Sequence, residues 1–324
     1  MSEPKNNLFL DPMSDIFTAT LWSAPKNEHL LRSFINGVRT DAGMTPIVQA
    51  TVLNPFNIKE FVASKGIILD VRAKDEHNLM YDIEVQTSNH PAFPNRILDY
   101  WSETFVAQLK SGLDYTELRQ VISIILTSFP IFRQLENIHN IFQITAKEDP
   151  SFVLTDAFQM HFLRIAEVNE QNAHKLACLC RDLRDWVLFF AYGGKLTEAE
   201  MSNLTDNNPI ILEAYQEMQR FYANPETHEK ALAHRRFIID YNLGMSSSKA
   251  EGLAEGLAVG KAVGRAEGKS EDIKHILNRR FNVIPDHLEN KLNSLSDIVE
   301  LKRLFDLALD CDSLEEFELS AGIE

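Results

Sequence analysis

The residues best suited to chemistry lie on a predicted β-hairpin. The alternation of MYDIEVQ over residues 80–86 predicts a strand with Glu84 and Gln86 on one face. If the turn centres on Glu76–His77, Asp70 lies directly opposite Glu84. Carboxylates opposed in this way repel each other unless something offsets their charge. A hard divalent cation such as Mg²⁺ is the simplest candidate, because it prefers carboxylate oxygens.

The same register also allows a less demanding interpretation. It pairs Arg72 with Asp82 as an ordinary cross-strand ion pair, so we interpret Asp82 as structural. Asp70 and Glu84 would then be solvated acids at an exposed strand end. The spacing alone leaves the metal site and the solvated acids both open.

The elements that must position this hairpin indicate an α/β fold. Two amphipathic helices between Asp15 and Val38 are separated at Pro25, and residues 93–112 have a helical pattern. Strands are predicted at residues 49–53, 66–71, 80–86, 121–132, 138–146 and 159–165. After about residue 170 the pattern becomes helical. This order predicts a mixed sheet flanked by helices, followed by a helical extension.

Residues 251–268 form a tandem repeat with glycine at every fourth position. In a helix, such a column of small residues lets another helix approach closely, which predicts a homo-oligomer formed through residues 250–268. A spacer is the alternative, because each glycine weakens an isolated helix. The Ala, Glu, Lys and Leu between the glycines favour the helix. Residues 271–322 predict a small helical cap, with a capping box at Ser313–Glu316.

Composition restricts the class of protein. The 324 residues carry 32 Lys and Arg against 47 Asp and Glu, a net charge of −15, which excludes a polycation that coats nucleic acid. An enzyme that contacts DNA through a metal ion is still allowed. Three cysteines are too few for a disulfide framework. With no signal-peptide pattern and no uncharged run long enough to span a bilayer, we expect a cytoplasmic protein without membrane contact.

Several of these motifs, taken in order, resemble the Rpn family of recombination-promoting nucleases, also described as PD-(D/E)XK nuclease family transposases. They are LDVRAKD, YDIEVQ, a helix with Arg96, Tyr100 and Trp101, LKSGLDYTEL and VISIIL. The opening DIFTATLW and NEHLLRSFINGV are similar to the first helices of that family, and the glycine repeat resembles its C-terminal part. The resemblance covers most of the chain and is weakest between about 170 and 240.

The resemblance implies a restriction-endonuclease-like core whose acids bind Mg²⁺. Asp70 corresponds to the first metal ligand, Glu84 to the second, and Gln86 to the third polar residue, which is usually a Lys. Asp15 matches the acid of the first helix that often completes the site. Gln86 can orient water but cannot act as a cation or an acid. We therefore expect this departure from the usual Lys to change the rate of the reaction more than its type.

The resemblance also implies how DNA is contacted. Arg96 and Tyr100 match the helix after the hairpin, where they would meet phosphate or brace the acids. Thr18 stands where relatives often have a Lys, so one phosphate contact is absent.

From these features we predict a nuclease-like core over residues 1–170, a helical extension over 171–245, the repeat over 246–270 and a cap over 271–324. The predicted function is a metal-dependent DNA endonuclease that uses Mg²⁺, Ca²⁺ or Mn²⁺ and acts in recombination or with mobile elements. The alternative is a catalytically weak or inactive nuclease-fold module that oligomerises through 250–268. A transposase that joins DNA ends ranks last, because the sequence shows no helix-turn-helix domain.

Overall fold

The computed structural model describes residues 10–54, 70–109 and 114–322. The chain divides into two compact units, Met1–Arg235 and Arg236–Glu324. The strand predicted at 66–71 lies outside the described residues except for its last two positions. The domain limits inferred from the sequence stay predictions.

A six-stranded mixed sheet forms the centre of the first unit. Its strands are β1 Thr51–Val52, β2 Val71–Lys74, β3 Met80–Gln86, β4 Val121–Thr127, β5 His139–Phe142 and β6 Phe158–Arg164. Their order across the sheet is β1-β2-β3-β4-β6-β5. The β3–β4 and β4–β6 pairs are parallel, and the other three pairs are antiparallel. The predicted restriction-endonuclease-like α/β fold with a helical C-terminal part is confirmed.

Helices flank this sheet and build the rest of the first unit. They are α1 Asp15–Ser23, α2 Glu28–Asp41, α3 Phe93–Val106, α4 Ala173–Leu176, α5 Arg181–Tyr192, α6 Glu198–Leu204 and α7 Pro209–Ala223. The predicted break between α1 and α2 is a single 3₁₀ turn, Pro25–Asn27. Helix α2 packs closely on α5, because a Cβ at Gly37 would lie only 3.0 Å from the Leu183 backbone nitrogen.

The β2–β3 hairpin has the register predicted from the sequence. Arg72 pairs with Asp82, and the turn is at residues 76–77. Asp75 fixes this turn by accepting hydrogen bonds from the Leu79 backbone N–H at 2.9 Å and the Tyr81 hydroxyl at 2.9 Å. A short turn closed by an Asp side chain favours one register.

Strand β3 departs from the prediction of one buried and one exposed face. Its five central residues are all buried, including Asp82 and Glu84. The reason is its position: β3 pairs with β2 on one side and with the parallel strand β4 on the other, and helices cover both faces. The alternation in the sequence therefore separates an apolar face of β3 from a polar face, and both faces are buried.

The second unit is helical. Helix α8, Pro225–Phe281, begins in the first unit and is followed by α9 Asp286–Ser294, α10 Ile298–Asp310 and α11 Leu314–Ala321. The glycine repeat lies within α8, so it is helical. Only half of the predicted capping box forms: the Ser313 Oγ accepts from the Glu316 N–H at 3.2 Å, whereas the Glu316 carboxylate accepts from the Asp312 N–H. Across the described ranges, no helix is long and apolar enough to cross a membrane.

Candidate metal and phosphate site

The candidate site lies on the sheet face that packs against α3. Asp82, Glu84 and Gln86 alternate onto this face of β3. Continuing the observed register by one residue places Asp70 opposite Glu84. The side chain of Asn54 holds this strand end: its Nδ2 donates to the Asp70 carbonyl at 3.0 Å. The structure therefore brings the three predicted hairpin residues together.

Burial makes these carboxylates unlike surface acids. Asp82 and Glu84 are each 4% exposed. Burial raises the pKa of Glu84 to about 7; the Asp70 charge also raises this pKa, while the Arg96 guanidinium lowers it. Burial and the Asp70 charge raise the pKa of Asp82 as well. The interpretation of Glu84 as a solvated acid at an exposed strand end is therefore wrong.

Arg72 makes the ion pair that its register predicts, and it makes a second, closer pair with Asp70. Its Nε lies 2.8 Å from Asp70 Oδ2 and 4.0 Å from Asp82 Oδ1. Asp70 and Arg72 are two residues apart and share one face of the extended chain, so Arg72 can reach Asp70 without crossing to the next strand. Asp82 Oδ1 is buried and has no hydrogen-bond partner. The predicted Arg72–Asp82 ion pair is therefore present, but it is long, and Arg72 lies closer to Asp70.

Gln86 links the second acid to the following helix. Its Nε2 donates to Glu84 Oε1, and its Oε1 accepts from Arg96 Nη2. Arg96 Nη2 also lies 3.8 Å from Glu84 Oε1. A lysine would provide no acceptor for Arg96 and would place a second cation beside it. Gln86 therefore holds both Glu84 and Arg96 in place.

Helix α3 presents the residues predicted to contact phosphate. The Arg96 guanidinium lies between two aromatic rings, 5.6 Å from the Phe93 centroid and 6.0 Å from the Tyr100 centroid. Partial burial raises the pKa of Tyr100, and the Arg96 charge opposes this. Trp101 Nε1 donates to the Val121 carbonyl at 3.0 Å and so ties α3 to β4. Arg96 and Tyr100 thus stand at the edge of the acid cluster.

Asp15 is placed differently. Its Oδ2 lies 2.7 Å from Nε2 of His234, and its Oδ1 accepts from the Ile16 N–H at 2.8 Å. Within the described part of the chain, no hydrogen bond or ion pair joins Asp15 to the hairpin acids. Thr18 is turned into its own helix, where its Oγ1 donates to the Ser14 and Asp15 carbonyls. The place of Asp15 in the site stays a prediction.

Two hydroxyl residues of β4 belong to the same face and were not found from the sequence. Ser123 pairs in register with Asp82, and Thr127 pairs with Gln86. Both hydroxyls are buried and lack a hydrogen-bond partner, like Asp82 Oδ1. The available signal was a pair of hydroxyl residues four apart within the apolar run VISIILT. Unsatisfied buried polar atoms in one place are suited to a bound ion or water.

The donor set suits a hard cation. Among the described residues, no group of three or more His, Cys, Asp or Glu side chains could hold a metal ion. Mg²⁺ does not require such a group, since it is usually held by one or two carboxylates together with waters and phosphates. Asp70 and Glu84 supply two carboxylates; burial raises the pKa of Glu84, and the nearby Asp70 charge raises it further. The residues present therefore fit such an ion.

Comparison with known proteins identifies a family. The family described as PD-(D/E)XK nuclease family transposase matches residues 12–248, which include every residue of the candidate site. Searches of curated proteins and of solved structures found no significant match.

Proposed function

Because the chain belongs to the PD-(D/E)XK nuclease family transposases, we propose that it is a metal-dependent DNA endonuclease that hydrolyses phosphodiester bonds. The observation that carries the proposal is the buried Glu84 carboxylate, opposite Asp70 in register and linked through Gln86 to Arg96. Such an arrangement places carboxylates that can bind a cation beside a guanidinium that can donate hydrogen bonds to phosphate. Recombination or the movement of mobile elements, in the cytoplasm, is the proposed setting.

Asp70 and Glu84 are the proposed ligands of the cation, with Mg²⁺ as the natural ion and Mn²⁺ or Ca²⁺ as substitutes. When bound, the ion supplies charge stabilisation for the phosphate and lowers the pKa of a water. An acidic protein needs this charge, since a chain of net charge −15 repels DNA. The cation therefore serves both binding and chemistry.

The side chains around the cation site have separate proposed roles. Gln86 keeps the Glu84 carboxylate in one orientation and has an amide able to orient water. Arg96 keeps 40% of its side chain exposed, so it can donate to a phosphate oxygen without leaving Gln86. Tyr100 stands beside Arg96 and limits the directions that the guanidinium can take. Each role requires fixed geometry, which the burial of Glu84 provides.

Plasmid cleavage tests this proposal. The purified chain is incubated with supercoiled DNA and Mg²⁺, Mn²⁺, Ca²⁺ or EDTA, beside Glu84→Gln. We expect nicking with Mg²⁺ or Mn²⁺, none with EDTA, and none from Glu84→Gln that keeps the circular dichroism of the parent. Cleavage by folded parent protein that persists in EDTA would contradict the proposal.

A second function, association of copies through residues 250–268, is favoured by a separate observation. Leu253, Leu257, Val259 and Val263 are 47–73% exposed on α8, and a Cβ at any of the five repeat glycines would meet open space. Glu251 and Glu255 lie in the first half of the repeat, and Lys261 and Arg265 lie in the second half, where Glu267 is the one acid. An antiparallel second copy would therefore place opposite charges side by side.

Sedimentation of the full chain tests this association. We expect the parent to form an oligomer that dissociates when Lys261 and Arg265 are both replaced by Glu. The oligomer should re-form when this variant is mixed with the variant Glu251→Lys, Glu255→Lys, which carries the opposite charges. A parent that sediments as a monomer at every concentration would exclude the association. A parent that forms an oligomer but cleaves DNA with none of the metals would favour the interaction module over the nuclease.

A further inference from the structure

The hairpin places one guanidinium between two acids that have different surroundings. Arg72 Nε contacts Asp70 Oδ2 at 2.8 Å, and Asp82 Oδ1 lies 4.0 Å from the same nitrogen. Asp70 is the acid proposed to hold the cation. In this structure Arg72 therefore neutralises the Asp70 carboxylate, whose charge a divalent ion requires.

Asp82 is the more distant of the two partners. Its side chain is only 5% exposed, its Oδ1 has no hydrogen-bond partner, and it lies directly across the hairpin from Arg72. A buried carboxylate oxygen without a donor costs free energy. Arg96 does not supply this donor, because it is engaged by Gln86 and lies beside Glu84. Arg72 is thus the cation in position to serve Asp82.

We propose that Arg72 exchanges its closer partner when the site is loaded: it lies closer to Asp70 in the metal-free protein and moves into direct contact with Asp82 when a divalent cation binds Asp70. This inference rests on the proposed function, because it takes Asp70 as a metal ligand. The exchange needs a side-chain rotation of Arg72 and no change of strand register, since Asp82 is its cross-strand partner. Arg72 and Asp82 are positioning residues, which act on the reaction through Asp70.

The exchange predicts that replacing Asp82 weakens cation binding more when Arg72 is present than when it is absent. Simple electrostatic attraction between Asp82 and the cation predicts the opposite order. With Arg72 present, Asp82→Asn removes the place to which Arg72 moves, so the cation must compete with an Arg72 that stays on Asp70. With Arg72→Gln, nothing competes, and Asp82 matters little. If Asp82 only attracted the cation through its charge, its loss would matter more in Arg72→Gln, where no guanidinium screens it.

Calorimetric titration of the DNA-free full chain with Mn²⁺ separates these cases. We expect Asp82→Asn to weaken Mn²⁺ binding about ten-fold in the parent and less than about three-fold in Arg72→Gln, a positive coupling between the two residues. Asp99→Asn is the matched control, since it removes one exposed acid from α3 and leaves Arg72, Asp70 and Asp82 in place.

The outcomes also separate this inference from the function on which it rests. A parent that binds no Mn²⁺ overturns both. A parent that binds Mn²⁺, with an Asp82→Asn effect that is equal or larger in Arg72→Gln, overturns the exchange and leaves the nuclease proposal standing. Should the variants fail to fold, the Arg72 Nε–H resonance of the parent decides: we expect it to shift on addition of Ca²⁺, and an unchanged resonance in Ca²⁺-bound protein overturns the exchange.

Discussion

Arg72 Nε lies 2.8 Å from Asp70 Oδ2, although strand register pairs Arg72 with Asp82. The acid proposed to bind the metal is therefore already neutralised by a neighbour on its own strand. Glu84 has weaker compensation, since Arg96 lies 3.8 Å away. In the metal-free protein Glu84 and Asp82 are thus the acids whose charge is least compensated when they ionise.

The burial of Glu84 predicts that this group contributes a loss of stability to the metal-free protein as pH rises. The pKa of Glu84 is raised from 4.5 to about 7, so the folded state holds this proton more tightly than the unfolded state. Its contribution to stability is present in full below pH 4.5 and is lost as pH rises through about 7. The slope approaches about 1.4 kcal/mol per pH unit. We expect Glu84→Gln to remove this slope between pH 5 and 8.

Urea unfolding in EDTA measures the slope for the parent and for Glu84→Gln at each pH. The exposed acid Asp99, replaced by Asn, is the matched control and should follow the parent. Equal slopes in the parent and Glu84→Gln would show that the buried carboxyl does not titrate in this way. Added Mg²⁺ should reduce the slope of the parent and of Asp99→Asn but not that of Glu84→Gln, because the ion favours the ionised form of Glu84.

Replacing Arg96 tests its role beside Glu84. Arg96 lowers the pKa of Glu84, so Arg96→Ala should raise that pKa and move the acidic limb of the cleavage profile to higher pH. We also expect a higher KM for DNA, because a phosphate contact is lost. Arg96→Lys should recover the pH profile more than the KM, since a lysine retains the charge but not the fork of donors. Initial rates across pH 5–9 measure both effects.

If Arg96→Ala altered only KM and left the acidic limb of the pH profile unchanged, Arg96 would not influence the pKa of Glu84 during cleavage. Leu98→Ala is the matched control on the same helix, because Leu98 is half exposed. It should leave both the profile and the KM as in the parent.

The hairpin shows what sequence could and could not predict. The turn and the alternation of residues 80–86 correctly gave the Arg72–Asp82 register, because both are local properties of the chain. The burial of Glu84 depends on β4 and α3, which lie farther along the sequence. The preference of Arg72 for Asp70 depends on side-chain rotation, which no spacing specifies.

Asp15 shows the same limit over a longer range. A resemblance to a first-helix motif assigned it to the site, whereas its contact with His234 joins positions 219 apart. Hydrophobic periodicity located α1 correctly but carries no information about which distant side chain reaches its first residue. The glycine repeat was predicted as helical because its other residues favour helix, and α8 includes all of it.

A buried histidine on the opposite face of the sheet predicts sensitivity to acid. His161 is fully buried, and its Nδ1 lies 2.8 Å from His139 Nε2. Burial, with the charges of His139 and Arg39, lowers the pKa of His161 to about 3. The unfolded histidine titrates near 6.5, so the stability from this group is complete above pH 6.5 and is lost as pH falls toward 3.

We expect His161→Asn to reduce this acid sensitivity by up to about 1.4 kcal/mol per pH unit between pH 6 and 4. Urea unfolding of the parent and the variant at matched pH gives the difference directly. His275→Asn, at an exposed position of the second unit, should leave the slope unchanged. A parallel pH dependence of parent and His161→Asn would rule out His161 as the acid-sensitive group.

The most direct test of the central claim is the rate of Mg²⁺-dependent nicking of supercoiled plasmid by Asp70→Asn. The change keeps the size of the side chain and removes its charge, and Asp99→Asn controls for the loss of one acid. We predict a rate at least about a hundred-fold below the parent for Asp70→Asn, and the parent's rate for Asp99→Asn. A folded Asp70→Asn that nicks DNA at the parent's rate would contradict the account.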